Sequence, residues 1–174
     1  MSPNPTGHVR GKQLIITRSF RAPIEDVWTS VTDPASTARW IGAWEGEAGP
    51  GKTVRLQLLQ EKEQPWTDVT IEICEPPRHL VVMTMYEAGG TRLELTLSQT
   101  GATTELRFVH HMSDPKLAGD FGPGWEFYLD FLVAARAGTA NPVFDDYYPA
   151  QKEYFLKQAA AGEGQTELSC SPPR

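Results

Sequence analysis

The sequence predicts an α+β fold: a curved antiparallel β-sheet wrapped around one long C-terminal α-helix, with two short helices after the first strand. Three observations carry this. From Gly122 to Arg136, Trp125, Tyr128, Leu129, Leu132 and Val133 recur at the i, i+3, i+4, i+7, i+8 spacing of an amphipathic helix. Phe127 and Phe131 add a second apolar stripe one turn apart, so this helix must be covered on two sides. Burying each large apolar side chain is worth roughly 1.5–3 kcal/mol, which makes it the body that the rest closes around. Before it, apolar and polar residues alternate in runs separated by turn residues, the pattern of strands with one buried and one wetted face. Only Glu126 and Asp130 leave the helix a polar arc, and two like charges there are expected to face water.

Taken in order, residues 1–11 are Pro, Gly and polar, and are predicted to be disordered. Lys12 to Phe20 is β-branched and apolar, a first strand. Ala22-Pro23 stops it and starts a helix, because Pro is tolerated in the first turn. Ile24, Val27, Trp28 and Val31 form its apolar stripe, and Glu25 and Asp26 sit at its positive end. Asp33-Pro34 reads as N-cap plus first residue of a second short helix, ending near Trp40-Ile41-Gly42. The two short helices together form a V-shaped plug.

Strands follow over 53–59, 67–74, 79–86, 91–97 and 104–111. His79 to Tyr86 is apolar on both faces, hence central, with its parity open. A turn over Gln99-Thr100-Gly101-Ala102 would set Leu95 opposite Leu106, Leu93 opposite Phe108, Glu94 opposite Arg107 and His110 opposite Thr91. After the organising helix, Gly138 and Asn141-Pro142 predict a break, since Pro in a helix interior costs about 3 kcal/mol. Residues from Asp145 open a last helical segment through Tyr154, Phe155 and Leu156. Residues 12–160 are expected to form one domain, and 161–174 a disordered tail.

The chain of 174 residues suffices for one well-buried core. A net charge of −6 with scattered Lys and Arg repels phosphate backbones and argues against nucleic acid as a partner. Cys74 and Cys170 form no disulfide framework and are expected to be reduced thiols. The N-terminal residues lack the apolar run of a signal peptide, and no apolar stretch is long enough to cross a bilayer. The expectation is a soluble cytoplasmic protein without a membrane partner; a homodimer is compatible with the sequence.

The order of elements, together with Phe20-Arg21-Ala22-Pro23-Ile24-Glu25-Asp26-Val27-Trp28 and Thr32-Asp33-Pro34 leading to Trp40, resembles the helix-grip superfamily, also called SRPBCC, START-like or Bet v 1-like. Glu75-Pro76-Pro77-Arg78-His79-Leu80 with Thr84, Thr103 to His110, and Gly124-Trp125 with Leu129 and Leu132 are similar to segments of one family within it. That family comprises the homologues of the activator of heat shock protein 90 ATPase. The resemblance runs from Leu14 to Arg136. It implies a deep cavity between sheet and C-terminal helix, often occupied by an apolar small molecule. Relatives include lipid carriers, polyketide cyclases and aromatases, resistance proteins and chaperone co-factors. The chain departs from the family at Gly49-Pro50-Gly51-Lys52, where a Gly-Gly pair is usual, and in a longer interrupted region from Gly138 to Tyr154.

Candidate ligand-lining residues are Trp40, Trp44, Met83, Phe108, His110, Trp125, Tyr128, Leu129 and Leu132. Trp66 joins the aromatic set, and Met85 accompanies Met83 as an adaptable wall residue. His110 and Tyr128 are the candidate catalytic groups; the competing reading of His110 is a core histidine bonded to a neighbour. His110 and His111 alternate across a strand and cannot chelate one metal, and His8 and His79 lie elsewhere, so neither metal nor cofactor is implied. Gly122-Pro123-Gly124 reads as a tight turn across the pocket mouth rather than an anion site. The functions that follow are a carrier of a hydrophobic small molecule, a cyclase-, dehydratase- or hydrolase-type enzyme using the same cavity, or a chaperone co-factor module. Catalysis is left open.

Overall fold

A computed structural model describes residues 2–86 and 89–163. Its strands are β1 (His8–Arg10), β2 (Gln13–Phe20), β3 (Trp44–Glu45), β4 (Thr53–Gln57), β5 (Trp66–Glu75), β6 (His79–Tyr86), β7 (Gly89–Thr100) and β8 (Thr103–His111). Its helices are α1 (Ile24–Thr32), α2 (Pro34–Thr37), α3 (Ala118–Ala137) and α4 (Lys152–Glu163). All eight strands form one antiparallel sheet in the order β1-β2-β8-β7-β6-β5-β4-β3. The long-range step is the pairing of β2 with β8, which brings the two ends of the meander side by side. The predicted α+β architecture of a curved sheet around a long C-terminal helix is the one observed.

The plug forms for the local reasons read from the sequence. Pro23 precedes α1, Ile24, Val27 and Val31 are its buried stripe, and Glu25 and Asp26 occupy its first turn. The Asp33 carboxylate accepts from the Ser36 N–H at 3.0 Å, capping α2. Arg136, in the last turn of α3, donates to the Asp26 carbonyl at 3.1 Å and ties the plug to the long helix.

The β7–β8 register differs from the expected one. Leu95 faces Phe108, Leu97 faces Leu106 and Leu93 faces His110, while Arg107 faces Thr96 and Glu94 faces Val109. The turn is tighter than the four-residue connection assumed: Thr100 pairs with Thr103, and Gly101 supplies a φ of 60°. The slip is by an even number of residues, so every side chain keeps its face. Glu94 gains His79 and His111 as partners in place of Arg107, at 2.6 and 3.1 Å.

The long helix starts well before Trp125 and includes Pro123, so Gly122-Pro123-Gly124 is not the expected turn. Its glycines are there for close packing. A Cβ on Gly122 would lie 2.4 Å from the Phe155 ring of α4, and one on Gly119 would lie 2.8 Å from Leu156. Phe155 is fully buried in the resulting seam, and this contact outweighs the local penalty of an interior proline. The helix stops where expected: Gly138 takes a φ of 67° and its N–H reaches the Ala134 carbonyl.

The polar arc of α3 faces water only in part: Asp130 is half-buried and Glu126 is fully buried. Glu126 is 1% exposed, its carboxylate 2.6 Å from Arg18 Nη2 of β2, and it accepts the backbone N–H groups of Thr6 and Gly7 at 2.6 Å each. Asp130 lies 2.8 Å from the same guanidinium and accepts from the Tyr147 hydroxyl at 2.7 Å. This corrects a second expectation, because the N-terminal residues read as disordered carry β1 and the segment docked on Glu126. Gln151 donates to the Pro3 carbonyl at 3.0 Å and Tyr154 to the Gly7 carbonyl at 2.8 Å, holding the same segment from α4 and its approach. Residues 161–163 close α4; the remainder of the expected tail, with Cys170, lies outside the described residues.

Two stability measurements check this packing. In denaturant titrations Gly122→Ala should lose about 1–3 kcal/mol against the Phe155 ring, whereas Gly124→Ala, with nothing within 4 Å, should be neutral or gain up to about 1 kcal/mol. Glu126→Ala leaves two backbone N–H groups without their acceptor and Arg18 with Asp130 as its one remaining carboxylate, and should cost on the order of 3 kcal/mol; an unchanged midpoint would show that the cluster is solvated.

Candidate functional site

The concave face of the sheet is not covered evenly. From α3 and α4 come the contacts to β1 and β2, whereas over the opposite half of the sheet lie α1, α2 and the chain leading into β3. Between these covers is a pocket of about 300 Å³. Alternation along the strands supplies its floor: Leu80, Val82 and Thr84 of β6, Leu93 and Leu95 of β7, and Leu106 and Phe108 of β8. The plug side contributes Trp40, Ile41 and Trp44, and α3 contributes only Trp125 and Leu129.

All three indole N–H groups at the pocket are bonded within the protein. Trp40 Nε1 donates to the Ser30 carbonyl at 2.9 Å, Trp44 Nε1 to the Thr32 carbonyl at 3.0 Å, and Trp125 Nε1 to His110 Nδ1 at 3.1 Å. The rings are therefore locked in orientation. Trp125 packs 4.4 Å from the Phe108 ring, centroid to centroid, so the two aromatics form one corner of the pocket. Among the described residues, no Asp, Glu, Lys, Arg or His lines the pocket.

Of the residues expected to line a ligand site, Trp40, Trp44, Phe108, Trp125 and Leu129 border this pocket, and Met83, His110, Tyr128 and Leu132 do not. Met83 is excluded by strand parity: Leu80, Val82 and Thr84 occupy the pocket face, which turns Met83 and Met85 to the other. Leu132 is buried in the main core one turn beyond Leu129. The Tyr128 hydroxyl donates to Glu61 Oε1 at 2.7 Å, tying α3 to the β4–β5 connection instead of offering a polar handle to the pocket. Trp66 is 42% exposed at the start of β5, under the Arg55 guanidinium. The aliphatic floor, with Cys74 and the threonines Thr32, Thr37 and Thr84, was not singled out from sequence; strand parity was the signal that could have found most of it.

His110 is buried, 2% exposed, against the Phe121 ring. Burial first, and then the neighbouring His111, lower its pKa from 6.5 to about 4. It is a neutral imidazole at physiological pH, and because Nδ1 accepts the Trp125 N–H, its proton resides on Nε2. The core-histidine reading describes it: it orients Trp125. On the opposite face of the sheet, burial alone would raise the Glu94 pKa, but hydrogen bonds from His79 and His111 outweigh it and hold the carboxyl below its ordinary range.

A sequence profile of the activator of Hsp90 ATPase homolog 1-like proteins matches residues 21–136. The chain belongs to this family. The SRPBCC-type fold implied by the resemblance is thereby shown. No curated protein matches the chain. Among solved structures, the crystal structure of CalU16 from Micromonospora echinospora aligns with a TM-score of 0.65 and 28% identity over 89% of this chain and 88% of that one. The solution structure of CalU16 aligns with a TM-score of 0.72 and 23% identity over 93% of this chain and all of that one. DynU16, a protein of the dynemicin biosynthetic locus, aligns with a TM-score of 0.65 and 19% identity over 76% of this chain and 50% of its own length, a likeness of fold. Among the described residues, no helix is long and apolar enough to cross a membrane.

The lowered pKa of His110 has a definite sign in stability. The buried neutral form stabilises the fold fully above the unfolded value near 6.5, and this contribution is lost as pH falls toward about 4. The size is on the order of 3 kcal/mol. His110→Asn keeps an acceptor for Trp125 but does not titrate, so its unfolding free energy should decline less between pH 7 and pH 4; equal declines would show that His110 is charged in the fold.

Proposed function

We propose that this protein binds and carries an uncharged, largely apolar, ring-bearing small molecule in the pocket enclosed by the sheet, the two-helix plug and the edge of α3. The observation that carries this is a lining without a charged side chain among the described residues, in which three indole rings are oriented by bonds to the protein itself. A charged ligand entering it would lose its hydration with no partner in return. The volume, about 300 Å³, is at the low end of the range for small-molecule sites, roughly 300–1,000 Å³.

Membership in the family supports a ligand-binding or cyclase-type domain, and the geometry favours the first. The candidate acid–base groups, His110 and Tyr128, do not border the pocket, and each is hydrogen-bonded to another side chain. General acid–base catalysis needs such a group within hydrogen-bond reach of the reacting atoms. The chaperone co-factor reading rests on the family name alone, which is a weak warrant for function; unchanged chaperone ATPase activity at saturating protein would remove it.

The test compares two probes with one ring system. Phenylnaphthylamine is neutral, and anilinonaphthalene sulfonate carries a fixed negative charge. Titration should show saturable micromolar binding of the neutral probe with quenching of tryptophan fluorescence, and at least about tenfold weaker binding of the sulfonate. Leu56→Glu, which places a carboxylate in the lining, should weaken the neutral probe by a similar factor while the fold is retained. Absence of binding, or preference for the sulfonate, refutes the proposal.

A further inference from the structure

The hydrogen-bonding capacity of the described side chains in the pocket wall is one-sided. The indole N–H groups of Trp40, Trp44 and Trp125 are committed to protein acceptors. The hydroxyls lining the pocket are committed as donors too: Thr32 to the Trp28 carbonyl at 2.7 Å, Thr37 to the Pro34 carbonyl at 3.2 Å and Thr84 to the Thr91 carbonyl at 3.3 Å. A threonine hydroxyl has one hydrogen and two lone pairs, so each of these oxygens has given up its hydrogen and still has acceptor capacity. Of the described lining side chains, only the Cys74 thiol has a hydrogen left to donate, and a thiol is a weak donor.

We infer that this pocket takes a ligand that brings its own hydrogen-bond donor, of the phenol or aryl-amine class, and discriminates against ligands whose polar atoms only accept, such as quinones, ketones and aryl ethers. The inference rests on the reading of the pocket as a ligand site and narrows the chemistry of its occupant. An acceptor carried from water into this wall meets no described side-chain donor stronger than a thiol, whereas a donor hydroxyl can reach a threonine oxygen. A site loses affinity for an analogue whose polar atom is left unpaired by far more than it does for a missing methylene. The selectivity therefore works mainly by exclusion.

The experiment displaces phenylnaphthylamine from the full chain with naphthol, methoxynaphthalene and naphthalene. Naphthol should bind at least about fivefold tighter than methoxynaphthalene, although the ether is the more apolar of the two, and the ether should gain nothing over naphthalene. Thr84→Val and Thr37→Val each delete one oxygen at nearly constant volume; at least one should bring naphthol down to the affinity of the ether and leave naphthalene unchanged. If naphthol and methoxynaphthalene bind alike, or if neither variant alters naphthol, the inference is overturned while the pocket stands as a binding site. If none of the compounds, the fluorescent probe included, binds at all, the binding reading itself has failed and this inference with it.

Discussion

The position of α3 on the sheet is set by one guanidinium. Arg18 of β2 lies 2.6 Å from Glu126 and 2.8 Å from Asp130, two carboxylates one turn apart on the helix. Burying Glu126 fully and Asp130 in part is expensive, and each finds partners that make up for lost water. The partners come from the N-terminal segment, from β2 and from the chain before α4, all at one end of the sheet. The long helix is accordingly pinned at that end and cannot centre itself over the curved surface. Packing on its far side reinforces the bias, because Gly119 and Gly122 let α4 approach until Phe155 and Leu156 touch the α3 backbone.

The pocket is a consequence of that displacement. Over the opposite half of the sheet the cover is the two-helix plug, tied to α3 through Arg136, and two short helices do not fill the concavity of five strands. Trp125 stands at the boundary between the filled and unfilled regions. Its neighbour Glu126 is held by the charge cluster and its indole by His110, so the ring presented to the pocket is fixed by two independent contacts. In this arrangement His110 is a positioning residue: buried and neutral, it acts through Trp125.

Much of the fold was legible because the relevant interactions are local. Alternation over β4, β7 and β8, and over β5 as far as Ile71, assigned faces, Asp33 announced a cap, Gly138 a stop, and the spacing from Trp125 onward a helix covered on two sides; past the bulge after Ile71, Cys74 rather than Ile73 shares the pocket face. Even the mistaken hairpin register preserved the faces, since a two-residue slip is invisible to a pattern of period two. Five of the nine expected lining residues border the pocket, all of them aromatic or leucine. Two of the misses show what the sequence withheld. Met83 depended on a parity that a strand apolar on both faces does not reveal, and Tyr128 on a carboxylate from a distant loop.

By itself the sequence determined which surfaces are apolar and in what order the elements follow, because periodicity and capping act over a few residues. Only the tertiary structure decided what lies opposite each surface. Glu126 and Asp130 look like a solvated arc until Arg18, more than a hundred residues earlier, is brought against them. The N-terminal residues look unstructured until Glu126 accepts their N–H groups. Where the helix rests, and hence where the sheet is left uncovered, depends on long-range electrostatic and steric pairings that leave no periodic trace in the chain.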